Sequence, residues 1–247
     1  MTALLDVTGL VRRYGPLVAV DHVDLHLPAG ARHALIGPNG AGKSTLLNLI
    51  AGTVRPSAGR VRLAGRDITR AGPATRARLG IARTFQTPAV LDSLTALDNL
   101  AVGAWRHTGV RRRWRESRRR EPARRDLLDA LGLGAQAQLA AGTLSHGQRR
   151  MLEIAVALVA EPAVLLLDEP AAGLGDDDLP RLLAALHRLP AAMAVLLIEH
   201  NQDLVTAFAD TVTVLHHGQV LATGTPQEIH GHPAVAEVYL GTPQEVS

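Results

Sequence analysis

The chain contains no cysteine, which excludes disulfides and thiolate metal sites and suits a reducing compartment. Aromatic residues make up only 2% of it, so its core has to be built from Leu, Val, Ile and Ala. The same scarcity leaves few side chains on which nucleic-acid bases could stack. Long apolar runs are missing too: stretches such as Ala191 to Ile198 fall far short of a membrane span. The amino terminus lacks a basic segment followed by an apolar one, so it does not read as a signal peptide. A soluble, cytoplasmic protein is expected, one able to dock on a membrane partner.

Lysine is nearly absent as well. Of the 26 basic residues one is lysine, Lys43, and the rest are arginine. It sits in Gly37-Pro38-Asn39-Gly40-Ala41-Gly42-Lys43-Ser44-Thr45, which fits the phosphate-loop pattern G-x-x-x-x-G-K-[ST]. Glycines there allow successive backbone N–H groups to turn inward around an anion. A compact ammonium can reach the outer phosphates as a point charge, which a planar guanidinium cannot imitate in the same space. The hydroxyl of Ser44 suits Mg²⁺. Ala31 to Ile36 reads as a strand entering this loop and Ser44 to Ala51 as an apolar helix leaving it, the setting the motif requires. The chain is expected to bind a nucleotide.

At 247 residues, with 47% hydrophobic and 20% charged content, the chain can bury one substantial α/β core with an inserted subdomain. Ala3 to Val7, Val18 to Leu27 and Gly59 to Gly65 read as strands. From about Thr87 to Glu161 strand signals give way to helical patterns, as in Ala123 to Leu131. Ala163 to Leu167 and Ala194 to Ile198 are continuous apolar runs suited to parallel strands buried on both faces, with a helix between them near Leu179 to Leu189. Thr211 to Leu215 and Gln219 to Ala222 read as a hairpin across His217-Gly218, and two short helices close the chain. Positive charge concentrates between Arg111 and Arg125, around Trp114. That run reads either as a solvated helical face or as a surface for anionic headgroups or an acidic partner loop; nucleic acid fits it less well.

Two acids, Asp168 and Glu169, close the apolar strand at its carboxyl end, the edge of an open α/β sheet where ligands bind. Asp168 is placed to orient Mg²⁺ and Glu169 to polarise an attacking water, because phosphoryl transfer depends mainly on positioning and charge stabilisation. Upstream, Leu144-Ser145-His146-Gly147-Gln148 resembles the LSGGQ signature of ATP-binding cassette (ABC) ATPases. With Gln86 in Arg83-Thr84-Phe85-Gln86, and with His200 after Val195 to Ile198, the five motifs of that family stand in family order across essentially the whole chain.

The resemblance implies an α/β P-loop NTPase fold with a RecA-like core, an antiparallel β subdomain and an inserted helical subdomain. The core would span about residues 1–86 and 161–247, and the helical part about 87–160. It further implies that Tyr14 stacks on adenine and that residues 37–45 cradle the phosphates. Ser44, Gln86 and Asp168 would serve the metal, and Glu169, His200 and Gln86 the hydrolytic step. Ser145, Gly147 and Gln148 would close over ATP held by the opposite subunit. From the residues alone, a core tyrosine is the alternative for Tyr14 and a plain helix cap for Ser145, whose two roles are compatible. His146 departs from the usual signature glycine, and Gly175 from the usual Asp.

Having one cassette and no membrane segment, the chain resembles a separate ATPase subunit with transmembrane permease partners. It would act as a homodimer or with a sister ATPase, at the cytoplasmic face of the plasma membrane, with ATP and Mg²⁺. Its finer motifs, among them Gly80 to Gln86, Leu152 to Ala155, Ile198-Glu199-His200 and Tyr239-Leu240-Gly241, look like those of branched-chain amino acid importer ATPases. The urea and amide importers and the lipopolysaccharide-export group are the alternatives.

Overall fold

The computed structural model describes residues 3–84, 90–104, 121–175 and 178–240. Strands β1 (Leu5–Tyr14), β2 (Leu17–Leu27), β4 (Ala58–Leu63) and β5 (Arg66–Asp67) form an antiparallel sheet in the order β2-β1-β4-β5. A second, six-stranded sheet runs β10-β9-β3-β8-β7-β6, from β3 (Arg32–Ile36), β6 (Ile81–Arg83), β7 (Val164–Asp168), β8 (Ala194–Ile198), β9 (Thr211–His216) and β10 (Gln219–Gly224). All its strands are parallel except β10, which returns antiparallel to β9.

The continuous apolar runs of β7 and β8 have a physical explanation. Leu165, Leu167, Val195 and Leu197 enter one core, while Val164, Leu166, Leu196 and Ile198 enter another on the opposite face of the sheet. Neither face meets water, so no polar alternation survives. The first core is completed by α3 (Ala96–Gly103), α4 (Glu121–Ala130), α5 (His146–Leu158) and α6 (Asp178–His187); the second by α1 (Lys43–Ala51) and the antiparallel sheet. Helix α2 (Pro73–Arg78) links β5 to β6, and α7 (Gln202–Phe208), α8 (Pro226–His230) and α9 (Pro233–Leu240) flank the β9–β10 side.

Between β6 and β7 the described residues form no strand, in keeping with the expected helical insertion. The expected opening strand is longer than its alternating pattern indicates, because register shifts after Val7 and Leu10 interrupt the period while pairing continues to Tyr14. The His217-Gly218 hairpin is present, with both residues at positive φ, as a two-residue type I′ turn demands. One buried arginine braces the frame. Arg76, 1% exposed, donates to the carbonyls of Leu49, Ile50, Thr69 and Ala71, so it occupies the carbonyl end of α1 that would otherwise lack partners.

Candidate functional site

The parallel strands β3, β6, β7 and β8 deliver four loops to one edge of the sheet, their carboxyl ends, where ligands collect in open α/β folds. β3 runs into residues 37–42, and α1 begins at Lys43. Two glycines are compelled there. A Cβ on Gly37 would clash with the Leu215 carbonyl, and one on Gly42 with that of Ala19; both residues also have positive φ. Gly42 caps α1, so Ser44 and Thr45 lie in the first turn, where unpaired N–H groups and the helix dipole favour an anion.

Lys43 is buried and curls back over this loop, donating from Nζ to the carbonyls of Gly37 (2.6 Å) and Pro38 (3.0 Å). Burial pulls its pKa below the ordinary lysine value, and the charges of Glu169 and Asp168 oppose that pull. Across the edge, Asp168 ends β7 and is 1% exposed. Its Oδ2 accepts from Arg83 at 3.0 Å, and Arg83 also donates to Asn48 Oδ1 at 2.5 Å, so one guanidinium joins β7, β6 and α1. Burial raises the Asp168 pKa, while Arg83 works against this by hydrogen bond and charge. The other oxygen, Oδ1, is buried without a hydrogen-bond partner.

That orphaned oxygen tests whether a divalent cation fits. Among the described residues no cluster of three or more His, Asp or Glu side chains could hold a metal by itself. A hard ion needing several oxygens could be held here only with the help of substrate phosphates, beside Asp168 Oδ1 and the Ser44 hydroxyl. Mg²⁺ is an ion that binds in that manner, through one or two protein oxygens plus phosphates and water. The donors present fit it.

Glu169 follows in a strained conformation, at φ 48. A non-glycine residue there costs on the order of 1–3 kcal/mol, which the surroundings must enforce. They do so through Glu169 N–H, which donates to the Ile198 carbonyl (2.9 Å), and through Arg150 of α5, which donates to the Glu169 carbonyl (2.6 Å). Arg150 is 1% exposed and also donates to the carbonyls of Asp168 and Pro170, and to Glu153 Oε2 at 2.6 Å. His200, just beyond β8, places Nε2 3.1 Å from Glu169 Oε1.

The structure thus brings residues 37–45, Asp168, Glu169 and His200 together. Tyr14 ends β1 with its ring exposed and the Arg12 guanidinium stacked 4.3 Å from its centroid, so it is a surface residue, the opposite of a core tyrosine. Ser145 and Gln148 form a capping box at the start of α5: Ser145 Oγ accepts from Gln148 N–H, and Gln148 Oε1 from Ser145 N–H. Both readings of Ser145 remain compatible, since a capped helix start still presents free N–H groups. A side chain on Gly147 would clash with Asp178, and one on Gly173 would meet the His146 ring at 3.0 Å. Among the described residues nothing lies within 4 Å of a Cβ on Gly175.

Gln86 lies outside the described residues, as do Trp114 and the arginines from Arg111 to Arg120. Of the remaining arginines of that run, Arg125 is exposed and pairs with Glu121, whereas Arg124 is 5% exposed and therefore not part of a solvated face. Sequence reasoning quoted Arg83, Glu199 and Tyr239 only as family features and passed over Arg150. A buried arginine leaves no periodic signal. Burial raises the Tyr239 pKa and the Gly37 backbone opposes that rise, which sets α9 beside the phosphate loop.

A family model described as ABC transporter matches residues 20–172. The chain belongs to the ABC transporter family. A second model, described as branched-chain amino acid ATP-binding cassette transporter, matches residues 219–245. The high-affinity branched-chain amino acid transport ATP-binding protein BraF of Pseudomonas aeruginosa is 39% identical over 253 residues, covering 96% of this chain and 98% of that one. LivG of Escherichia coli, bearing the same description, is 37% identical with the same coverage. Among solved structures, an ATP-binding cassette of an ABC transporter in its ADP conformation superposes with a TM-score of 0.85 at 30% identity, covering 98% of this chain and 100% of that one. As a member of this family the ABC ATPase described here binds nucleotide and hydrolyses it for a transporter.

Proposed function

We propose that this ATPase powers uptake of branched-chain or other hydrophobic amino acids through separate transmembrane permease subunits. The observation that carries this reading is the near full-length likeness to branched-chain amino acid transport ATP-binding proteins, which extends into the carboxyl-terminal match over residues 219–245. Among the described residues no helix is long and apolar enough to cross a membrane, and the channel would come from the permease chains. The ATPase would sit on the cytoplasmic face of the plasma membrane, held there by its permeases.

Within the site, Lys43 and backbone N–H groups within residues 37–45 would hold the β- and γ-phosphates, and Tyr14 would lie against the base. Ser44 and Asp168, with Gln86, would hold Mg²⁺, which when bound neutralises charge developing on the phosphates. Glu169 would orient and deprotonate the attacking water, with His200 bridging it to the outer phosphate. The site is half complete in one chain: Ser145, Gly147 and Gln148 lie at the start of α5 and would act on the nucleotide of a second ATPase, an identical copy or a sister.

Reconstitution with a cognate permease pair and binding protein in vesicles tests the assignment. ATP-dependent accumulation of labelled leucine, isoleucine or valine is the expected result. Uptake of urea or short amides in their place would transfer the chain to the alternative importer group. Export of lipid, or no ATP-driven flux of any of these, would overturn the importer reading.

A further inference from the structure

Glu199 follows β8 directly and is 3% exposed, yet the hydrolytic scheme above makes no use of its carboxylate. Its two oxygens accept three backbone N–H groups from two different loops. Oε1 takes Ala171 N–H at 2.7 Å; Oε2 takes His200 N–H at 2.9 Å and Asn201 N–H at 3.2 Å. Ala171 lies two residues beyond Glu169, and Glu169 N–H is itself bonded to Ile198, the residue before Glu199. The turn that carries Glu169 is therefore stapled to the end of β8 at two points, and the same carboxylate holds the start of the loop that carries His200. The 3.1 Å approach of His200 Nε2 to Glu169 Oε1 spans these two stapled loops.

We propose that Glu199 is the positioning residue that sets His200 against Glu169. An ionised carboxylate is well suited to the task, because it offers only acceptors and can serve two loops at once. An amide at the same place has a single acceptor oxygen and turns an N–H₂ toward one of the donors. The proposal rests on the roles given above to Glu169 and His200, and the test separates the two.

In the assembled transporter, Glu199→Gln should lower kcat for ATP by at least tenfold with KM for ATP unchanged, and Glu199→Ala should lower it further. Hydrogen–deuterium exchange of the same complexes should speed up in peptides covering 169–175 and 198–202, with protection elsewhere and Tm retained. His200→Ala separates positioning from packing: added to that variant, Glu199→Gln should cost little more, because the contact it supports is already gone. Fully multiplicative losses would overturn the proposal, as would unchanged exchange in both peptides or a fall in kcat that simply tracks Tm. If His200→Ala alone leaves turnover intact, the role of His200 fails. The exchange arm then still decides whether Glu199 joins the two loops.

Discussion

The two ends of the nucleotide machinery are built on different principles. At the phosphate end the bonds cross between distant segments: Arg83 to Asp168, His200 to Glu169, Glu199 to Ala171. At the signature end Ser145 and Gln148 bond to each other three residues apart, Arg149 reaches back to the Gly142 and Leu144 carbonyls just upstream, Gly147 packs on Asp178 and His146 lies over Gly173. A site wired by tertiary contacts can align charge with sub-ångström demands. A locally capped helix start presents the same N–H groups wherever the helix is carried, which suits a surface that has to meet another chain.

The largest effect should fall on Glu169, the residue to which the proposed function gives the activation of water. Glu169→Gln should cut steady-state phosphate release by the assembled transporter about 10²–10⁴-fold, the range for losing a general base, with nucleotide binding retained. Undiminished release would remove Glu169 from the chemistry. Arg150→Met, where the two ends are joined, should destabilise the isolated subunit by about 3–5 kcal/mol in urea unfolding. It removes the Arg150 partner of the buried Glu153 carboxylate and the donors to the carbonyls of Asp168, Glu169 and Pro170.

A pH titration probes strand β3 away from its phosphate end. His33 is 5% exposed against Thr213, and burial lowers its pKa from 6.5 to about 4. The unfolded chain therefore takes up a proton before the folded one, so stability is complete above pH 6.5 and drains away as pH falls toward 4. At 1.36 kcal/mol per pH unit the loss is about 3 kcal/mol. His33→Gln should flatten that part of the stability profile; an unaltered slope would count against the neutral buried imidazole.

Lys43→Ala should weaken binding of a labelled ATP analogue roughly ten- to a hundredfold, as expected for losing hydrogen bonds from a charged donor worth about 1.5–3 kcal/mol. The smallest change in stability belongs to the signature end. Ser145→Ala should lower the stability of the isolated subunit by only about 1 kcal/mol, the ordinary value of a helix cap. Its effect on turnover by the assembled transporter should be larger than that. Equal, small effects in both settings would reduce Ser145 to a cap and break the contrast between the two ends.

Much of the site was legible because its chemistry is written in contiguous residues. The loop at 37–45 needs glycines at two closely packed points and one ammonium, and the pair Asp168-Glu169 needs only to follow an apolar strand. Boundaries were less legible where pairing outlasts the alternating pattern, as in β1 beyond Val7. The arginine run misled at its end, since Arg124 is buried against neighbours that a charge count does not register. The braces were invisible altogether. Arg76, Arg83, Arg150 and Glu199 each have a partner far along the chain, up to 85 residues away for Arg83, and three of them bond chiefly to backbone carbonyls or N–H groups that have no sequence identity.

The order of residues by itself determined the phosphate loop, the acids at the strand end and the parallel α/β core, while the cassette family came from the resemblance of its motifs. The first three depend on local steric and periodic requirements that any reader of the chain can check. Which oxygen of Asp168 is held and which is left open, how Glu169 is kept in a strained conformation, and what brings His200 to it were decided only by the tertiary structure. Each depends on where separate strands end relative to one another, and that spacing is set by the packing of two cores against both faces of a single sheet.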